Sequence, residues 1–307
     1  MKHQTLTLLS AIILCFACQN DKRASEKILA LNDDTATMSY ETKELPEAFK
    51  KYWYSGEAEI TAFELEQERY GEIRKGKAVL VYVTEDFLPE KQVKADGYSK
   101  SNIPILKLNA TKKFNTGIYP YSIMQSTFYP VSNEQHAVKI SSSVQEWCGH
   151  VYTQLNNREQ FEITSHSYFE NEADAQFSIK KTFTENEIWT QLRIDPQSLP
   201  TGKIKIIQAL EHLQLRHKDI KAYSAVATLR KGIYEVKYTE SKRALKIKFN
   251  PQFPYDVIGW EETNEVGYGL NKKVLTTKAT KLKTLKTAYW NKNSNKDQTL
   301  RDSLKLN

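Results

Sequence analysis

Cysteine is scarce: the 307 residues contain three, at positions 15, 18 and 148. No run of about twenty apolar residues is present, so no segment reads as a membrane-spanning helix. There is no Gly-rich phosphate loop, no G-x-S-x-G and no H-E-x-x-H. Those absences remove the common sequence signatures of nucleotide binding, serine hydrolysis and zinc-peptidase chemistry. Histidines 136, 166, 212 and 217 show no zinc spacing, and His212 and His217, five apart, align on neither a helix nor a strand. Neither a metal nor a cofactor is predicted.

What is present starts at the N-terminus. MKHQTLTLLSAIILCFACQN carries one Lys, an apolar run from Leu6 to Phe16, then Ala-Cys and a polar continuation. That order is a secretory signal peptide, with an apolar run too short to span a bilayer. The small residue before a cysteine resembles the lipobox of bacterial lipoproteins, although Cys15 stands where that motif usually has Leu and Phe16 where it has a small residue. The resemblance implies cleavage before Cys18 and acylation of its sulfur. Cys15 fits less well, since Leu14 would have to fill the small-residue position. A plain signal peptide, with Cys18 unmodified, is the alternative. Buried acyl methylenes contribute about 0.8 kcal/mol each, so several chains suffice for stable anchoring. Gln19 is not the Asp that, in similar lipoproteins, retains the chain at the inner membrane, which implies the outer membrane. With the leader removed and Cys18 acylated, Cys148 alone remains, so no intramolecular disulfide is expected. A chain of this size can bury its core without one.

Composition is that of an ordinary globular protein, 40% hydrophobic and 26% charged, with net charge +7. Six lysines fall between Lys278 and Lys296 with no acidic residue among them. Attraction to anionic lipid headgroups or glycans is one reading, and the solvated face of a last strand is the other. Nucleic acid is not an expected partner of an exported chain.

The organisation follows from patterning. Residues 1–17 form the signal peptide, and residues 18–44, polar and without sustained period, form a flexible tether. A short helix follows: Pro46 suits a first helical position, Phe49 and Trp53 are four apart, and Gly56 can close the end. From about residue 57 the chain reads as β. KAVLVYVTEDF, NIPILKLNATKKF, GIYPYSIMQSTFYPV, HAVKISSSVQEW, HVYTQLNN and QFEITSHSYF are short runs separated by polar turns. GIYEVKYTE, RALKIKFN, YDVIGWEET and KKVLTTKATKLKTLKT continue the series. KIKIIQALEHLQLRH reads as strand by its period of two, with a helix from Ile206 to His217 as the alternative. The prediction is an all-β fold, a large curved antiparallel sheet or a β-clam or half-barrel. It divides into β-rich halves at 45–172 and 173–295, with a polar tail at 296–307. Tyr119-Pro120-Tyr121-Ser122-Ile123 and Phe253-Pro254-Tyr255-Asp256-Val257 share a pattern that a duplicated half-barrel would produce, each Pro opening a strand.

The blocks YWYSGEAEITAFELEQERYGEIRKGKAVLVYVTEDFLPEKQVKAD, FNTGIYPYSIMQSTFYPV and SSSVQEWCGHVYTQLNNR resemble a family of uncharacterised Gram-negative envelope lipoproteins, from about Pro46 to Trp290. Some members carry the name septum formation inhibitor Maf. Genuine Maf pyrophosphatases have a Ser-x-Ser-Pro-Arg-Arg motif, and this chain has no Arg-Arg pair. RALKIKFNPQFPYDVIGWEE also resembles periplasmic β-clam proteins whose curved sheets hold ligands or act as scaffolds. Neither likeness brings catalytic residues.

One stretch invites a chemical reading. In EWCGH, an extended backbone would put Glu146, Cys148 and His150 on one face, where an imidazolium could stabilise a thiolate. Working Cys/His pairs normally come from separate segments. The bland reading is a small buried thiol beside a satisfied histidine, with Gly149 marking a bulge or a close approach. Glu64, Glu66 and Glu68 alternate along another strand, as a cation site or a solvated face. Three functions stay open. The first is a non-enzymatic lipoprotein that holds an envelope protein or an apolar ligand on a concave, aromatic-lined sheet. The others are an envelope hydrolase or thiol enzyme using Cys148 and His150, and a structural anchor with a flat apolar patch.

Overall fold

The computed structural model describes residues 44–132 and 135–307. Cys18, the leader and nearly all of the expected tether lie outside the described residues. Thr42–Asn307 forms one compact unit.

Helix α1 (Glu47–Trp53) starts after Pro46 and buries Phe49 and Trp53, as their four-residue spacing requires. Nine strands then follow one another: β1 (Ala58–Arg69), β2 (Glu72–Leu88), β3 (Val93–Lys94), β4 (Ile103–Thr116), β5 (Tyr119–Pro130), β6 (Lys139–Glu146), β7 (Gly149–Asn157), β8 (Phe161–His166) and β9 (Ala175–Ile179). The second series is β10 (Phe183–Thr184), α2 (Glu185–Ile194), β11 (Gly202–Ile207), α3 (Leu210–Leu215), β12 (Ala222–Arg230), β13 (Ile233–Tyr238), β14 (Ala244–Phe249), β15 (Val257–Val266) and β16 (Lys273–Thr287). A last short helix, α4 (Thr299–Ser303), lies within 296–307, where Leu304 is buried.

All sixteen strands belong to one sheet that does not close, antiparallel except where β10 runs parallel to β11. Each series is a meander in chain order, with the two-residue β3 flanking β2, and the two meanders join where β1 pairs β16. The free edges of the sheet are therefore β9 and β10, which are consecutive in sequence. Residues 180–182 alone connect them, and three extended residues span roughly 10 Å. That link forces the sheet to curl until its edges approach. The result is the curved, barrel-like all-β architecture expected from the alternation.

Curling creates an inside and an outside. On β1, Phe63 and Leu65 point into the core while Glu64 and Glu66 point out. The inside is not an open, aromatic-lined hollow, because helices α2 and α3 occupy it: Ile188 and Leu192 join the main core, and Leu210 and Leu213 join a second cluster with Leu155, Phe161 and Ile163.

Two local expectations change. KIKIIQALEHLQLRH is both alternatives in turn, a strand to Ile207 and a helix from Leu210, because Ile204 and Ile206 face the sheet core while Leu210 and Leu213 are three apart. The two Pro-Tyr motifs are built differently. Tyr119-Pro120 opens β5 directly, whereas Phe253-Pro254, a cis peptide, and Tyr255, at φ 57°, form a turn ahead of β15.

Candidate binding cleft and the interior charge pairs

The polar groups that α2 carries inward decide what the interior can do. The helix starts with a capping box, Thr184 accepting from the Glu187 backbone N–H and Glu187 accepting from that of Thr184. The Glu187 carboxylate also accepts from the Ala137 N–H at 2.9 Å and lies 2.9 Å from His136 Nδ1. One side chain thus fastens the β10 edge to the β5–β6 loop. At the far end of α2, Arg193 meets both oxygens of Glu59 at 2.7 Å, donates to the Pro254 carbonyl, and lies over the Trp53 and Tyr82 rings. Burial would raise the Glu59 carboxyl, but the charge and hydrogen bonds of Arg193 outweigh it, and the net position is below the usual carboxylate range.

A second group lies deeper. Arg243 grips both oxygens of Glu185, and Lys112 reaches Glu211 and, at 2.9 Å, Glu262. Burial and the neighbouring Glu262 push Glu211 up despite Lys112. Glu262 moves down, since Lys112 and Arg243 together outweigh its burial. Two cations and two carboxylates balance if Glu211 keeps its proton. His212 beside them is held well below its usual range, first by burial and then by Arg243, Lys218, Arg216 and Lys112.

With the interior filled, a cleft of about 660 Å³ opens beside the seam, against the β10 edge. Its walls come from the end of β5 (Tyr129, Val131), the link and β10 (Lys181, Phe183), and α2 with its continuation (Gln191, Ile194, Ser198). The Gln135 side-chain nitrogen is buried there without a partner. This volume lies in the range of small-ligand sites, and the lining is mixed, with Tyr129, Val131, Phe183 and Ile194 set among a larger number of polar side chains.

EWCGH is not extended. Strand β6 ends at Glu146, Trp147-Cys148 make the turn, and β7 begins at Gly149. Glu146 pairs with Gly149 and Gln145 with His150, so Glu146 and His150 project from opposite faces of the hairpin. The Cys148 thiol is exposed, not buried, and the Glu146 carboxylate raises its pKa, away from thiolate formation. The Glu146 carboxylate also accepts the Cys148 backbone N–H at 2.8 Å. Gly149 does mark a close approach: a Cβ there would meet the Tyr168 ring at 2.7 Å.

The other expected residues scatter. Glu64 pairs with Lys77 on the outer wall and Glu66 is exposed, but Glu68 turns inward and pairs with Arg216, so the three do not form one row. His166 lies against Asp174 and His217 against Glu172. Among the described residues no three His, Cys, Asp or Glu side chains converge where a metal ion could sit. The lysine-rich strand β16 is not an edge but a central strand, and Lys281 pairs with Asp256 while Lys286 donates to the Tyr52 carbonyl. The cleft residues had one usable signal in the sequence, the Thr-x-x-Glu of the capping box.

No family model matches the chain, and no curated protein matches its sequence. Among solved structures, it is similar to a beta-barrel-like protein of a domain of unknown function from Brucella abortus, at 8% identity over 75% of this chain and 98% of that one, with TM-score 0.43. A porin-like protein from Bacteroides uniformis aligns at 9% identity over 73% of this chain and 95% of that one, with TM-score 0.26. Among the described residues no helix is long and apolar enough to cross a membrane.

Proposed function

We propose that the protein is a non-enzymatic binding or scaffold lipoprotein of the cell envelope. In this reading acylated Cys18 holds it at the outer membrane, and the seam cleft receives an apolar or amphipathic ligand. One observation carries it: the buried carboxylates and cations of the interior are paired with one another, while the cleft sets Tyr129, Val131, Phe183 and Ile194 among polar groups and holds an unpartnered amide nitrogen at Gln135. Paired buried charges hold a scaffold together, and buried His212, whose Nε2 has no partner, lies outside the cleft lining. Cys148, with its raised thiol and a histidine on the other face, gives the thiol-enzyme alternative no support.

Native mass spectrometry of protein purified in mild detergent tests the cleft. The expected result is a bound small molecule that is lost when Gln191→Trp fills the space while the melting temperature holds. A ligand-free protein that also fails to bind long-chain fatty acids would overturn it. For the anchor, Cys18→Ala should move the protein out of the membrane fraction.

A further inference from the structure

Antiparallel neighbours put every second turn at the same end of the curled sheet. One end carries the turns β1–β2, β4–β5, β6–β7, β8–β9, β13–β14 and β15–β16; the other carries α1 and the C-terminal end of β16. At the first end, five hairpins that are consecutive around the sheet each raise a large apolar side chain into solvent. They are Tyr268 (91% exposed) and Leu270 between β15 and β16, Tyr70 between β1 and β2, Ile118 (85%) between β4 and β5, Trp147 (68%) between β6 and β7, and Tyr168 (68%) between β8 and β9. Folding does not bury these side chains.

Three of the tips are braced, Tyr70 through its hydroxyl, 2.8 Å from that of Tyr121, and through Arg69 over its ring. Trp147 stacks on Tyr119 with ring centres 6.2 Å apart, and Tyr168 lies against Gly149. Hairpins two strands apart sit roughly 10 Å from one another. Such a row presents separate apolar anchors and not the contiguous, close-packed core of a protein–protein interface. Below the tips stand three exposed lysines. Lys75, Lys113 and Lys273, on β2, β4 and β16, are exposed, and none makes an ion pair among the described residues. Acidic groups of this end have cationic neighbours of their own: Glu72 lies against Arg74, Glu265 against Lys272, Glu172 against His217 and Asp174 against His166, while Glu66 faces Lys75 across the β1–β2 ladder.

We infer that this rim docks on a lipid surface with anionic headgroups. Tyr and Trp at the tips suit the bilayer interface, with apolar bodies and a polar atom for the wet side, and Leu270 and Ile118 enter the acyl boundary. The three lysines reach the headgroups on their flexible stems. The rim is independent of the cleft, and docking does not require Cys18 to be acylated. An acyl chain brings the protein to a membrane; the rim determines which end faces it.

Tryptophan fluorescence reads that orientation, because the two well-exposed tryptophans sit at opposite ends, Trp147 at the rim and Trp290 beyond β16. The full chain is mixed with vesicles of phosphatidylethanolamine and phosphatidylglycerol carrying brominated acyl chains. The expected result is quenching that Trp147→Phe largely removes and Trp290→Phe leaves in place. Replacing Leu270 with Asp, or Lys75, Lys113 and Lys273 together with Glu, should reduce it markedly, and high salt should reproduce the effect of the lysine changes. Quenching lost with Trp290→Phe, or none on vesicles to which the protein is bound, overturns the docking. So does cross-linking from the tips to a discrete protein in cells while vesicles bind nothing, which would assign the rim to a protein partner.

Discussion

The same kinds of ion pair occur inside the curled sheet and on its outer wall, and the two sets do different work. Inside, Arg193–Glu59 and Arg243–Glu185 are almost fully buried. Outside, Lys77 faces Glu64 across the β1–β2 ladder and Lys248 meets Glu261 diagonally across β14–β15, both pairs in contact with water. An exposed pair gains little, because water screens both charges and both side chains lose freedom to meet. A buried pair has given up its hydration, so losing one partner strands the other in a medium that cannot solvate it. The difference lies in what surrounds the pair, since the distances are alike.

The sharpest break of that comparison is Arg193→Met, which leaves Glu59 buried and uncompensated. Chemical denaturation should register a loss of about 3–5 kcal/mol, largely recovered when Glu59→Leu is added. Next come the carboxylates that share Lys112. Glu262→Gln removes the one held ionised and should cost roughly 3 kcal/mol, whereas Glu211→Gln, replacing the one pushed toward its protonated form, should cost about 1 kcal/mol or less. Equal losses would mean that the proton is not on Glu211.

The interior also predicts a pH response of its own. His212 stays neutral in the folded state but titrates near 6.5 when the chain unfolds. Below that pH the unfolded chain therefore binds the extra proton, and the histidine's contribution to stability falls by about 1.4 kcal/mol per pH unit until the folded-state pKa is reached. Glu211, raised in the fold, contributes the opposite slope above its unfolded value, so the histidine's share is read as the difference between the denaturation curves of the natural chain and His212→Leu. On the wall, Lys77→Ala should change stability by no more than about 0.5 kcal/mol. The smallest change is chemical: at mildly alkaline pH, Glu146→Gln should let iodoacetamide label Cys148 faster, since the carboxylate that raises the thiol is gone.

Much of the wall was legible in the sequence and little of the filling was. Strands such as β6 and β14 alternate buried and exposed positions along their whole length, which is the signal that one-sided burial leaves. Helix α2 was missed because its buried residues include Glu185, Asn186, Glu187 and Arg193, so no apolar stripe marks a face. Its Thr184-to-Glu187 capping box is the local signal of a helix start, set between β patterns on both sides. The cleft was beyond reach, since Tyr129, Phe183 and Gln191 come from separate segments and nothing local joins them. In EWCGH the extended reading failed at Trp147-Cys148, where a two-residue turn reversed the chain.

The place where the two meanders meet sets an order of events. Thr61 and Thr284 face each other across the β1–β16 ladder although 223 residues separate them in sequence. A ribosome makes β1 long before β16, so one side of β1 goes without its hydrogen-bonding partner until β16 emerges. An unpaired strand side is a template for other chains. Truncations that delete β16 should therefore leave a sticky first meander, and whatever keeps newborn copies apart must act before the final strand arrives.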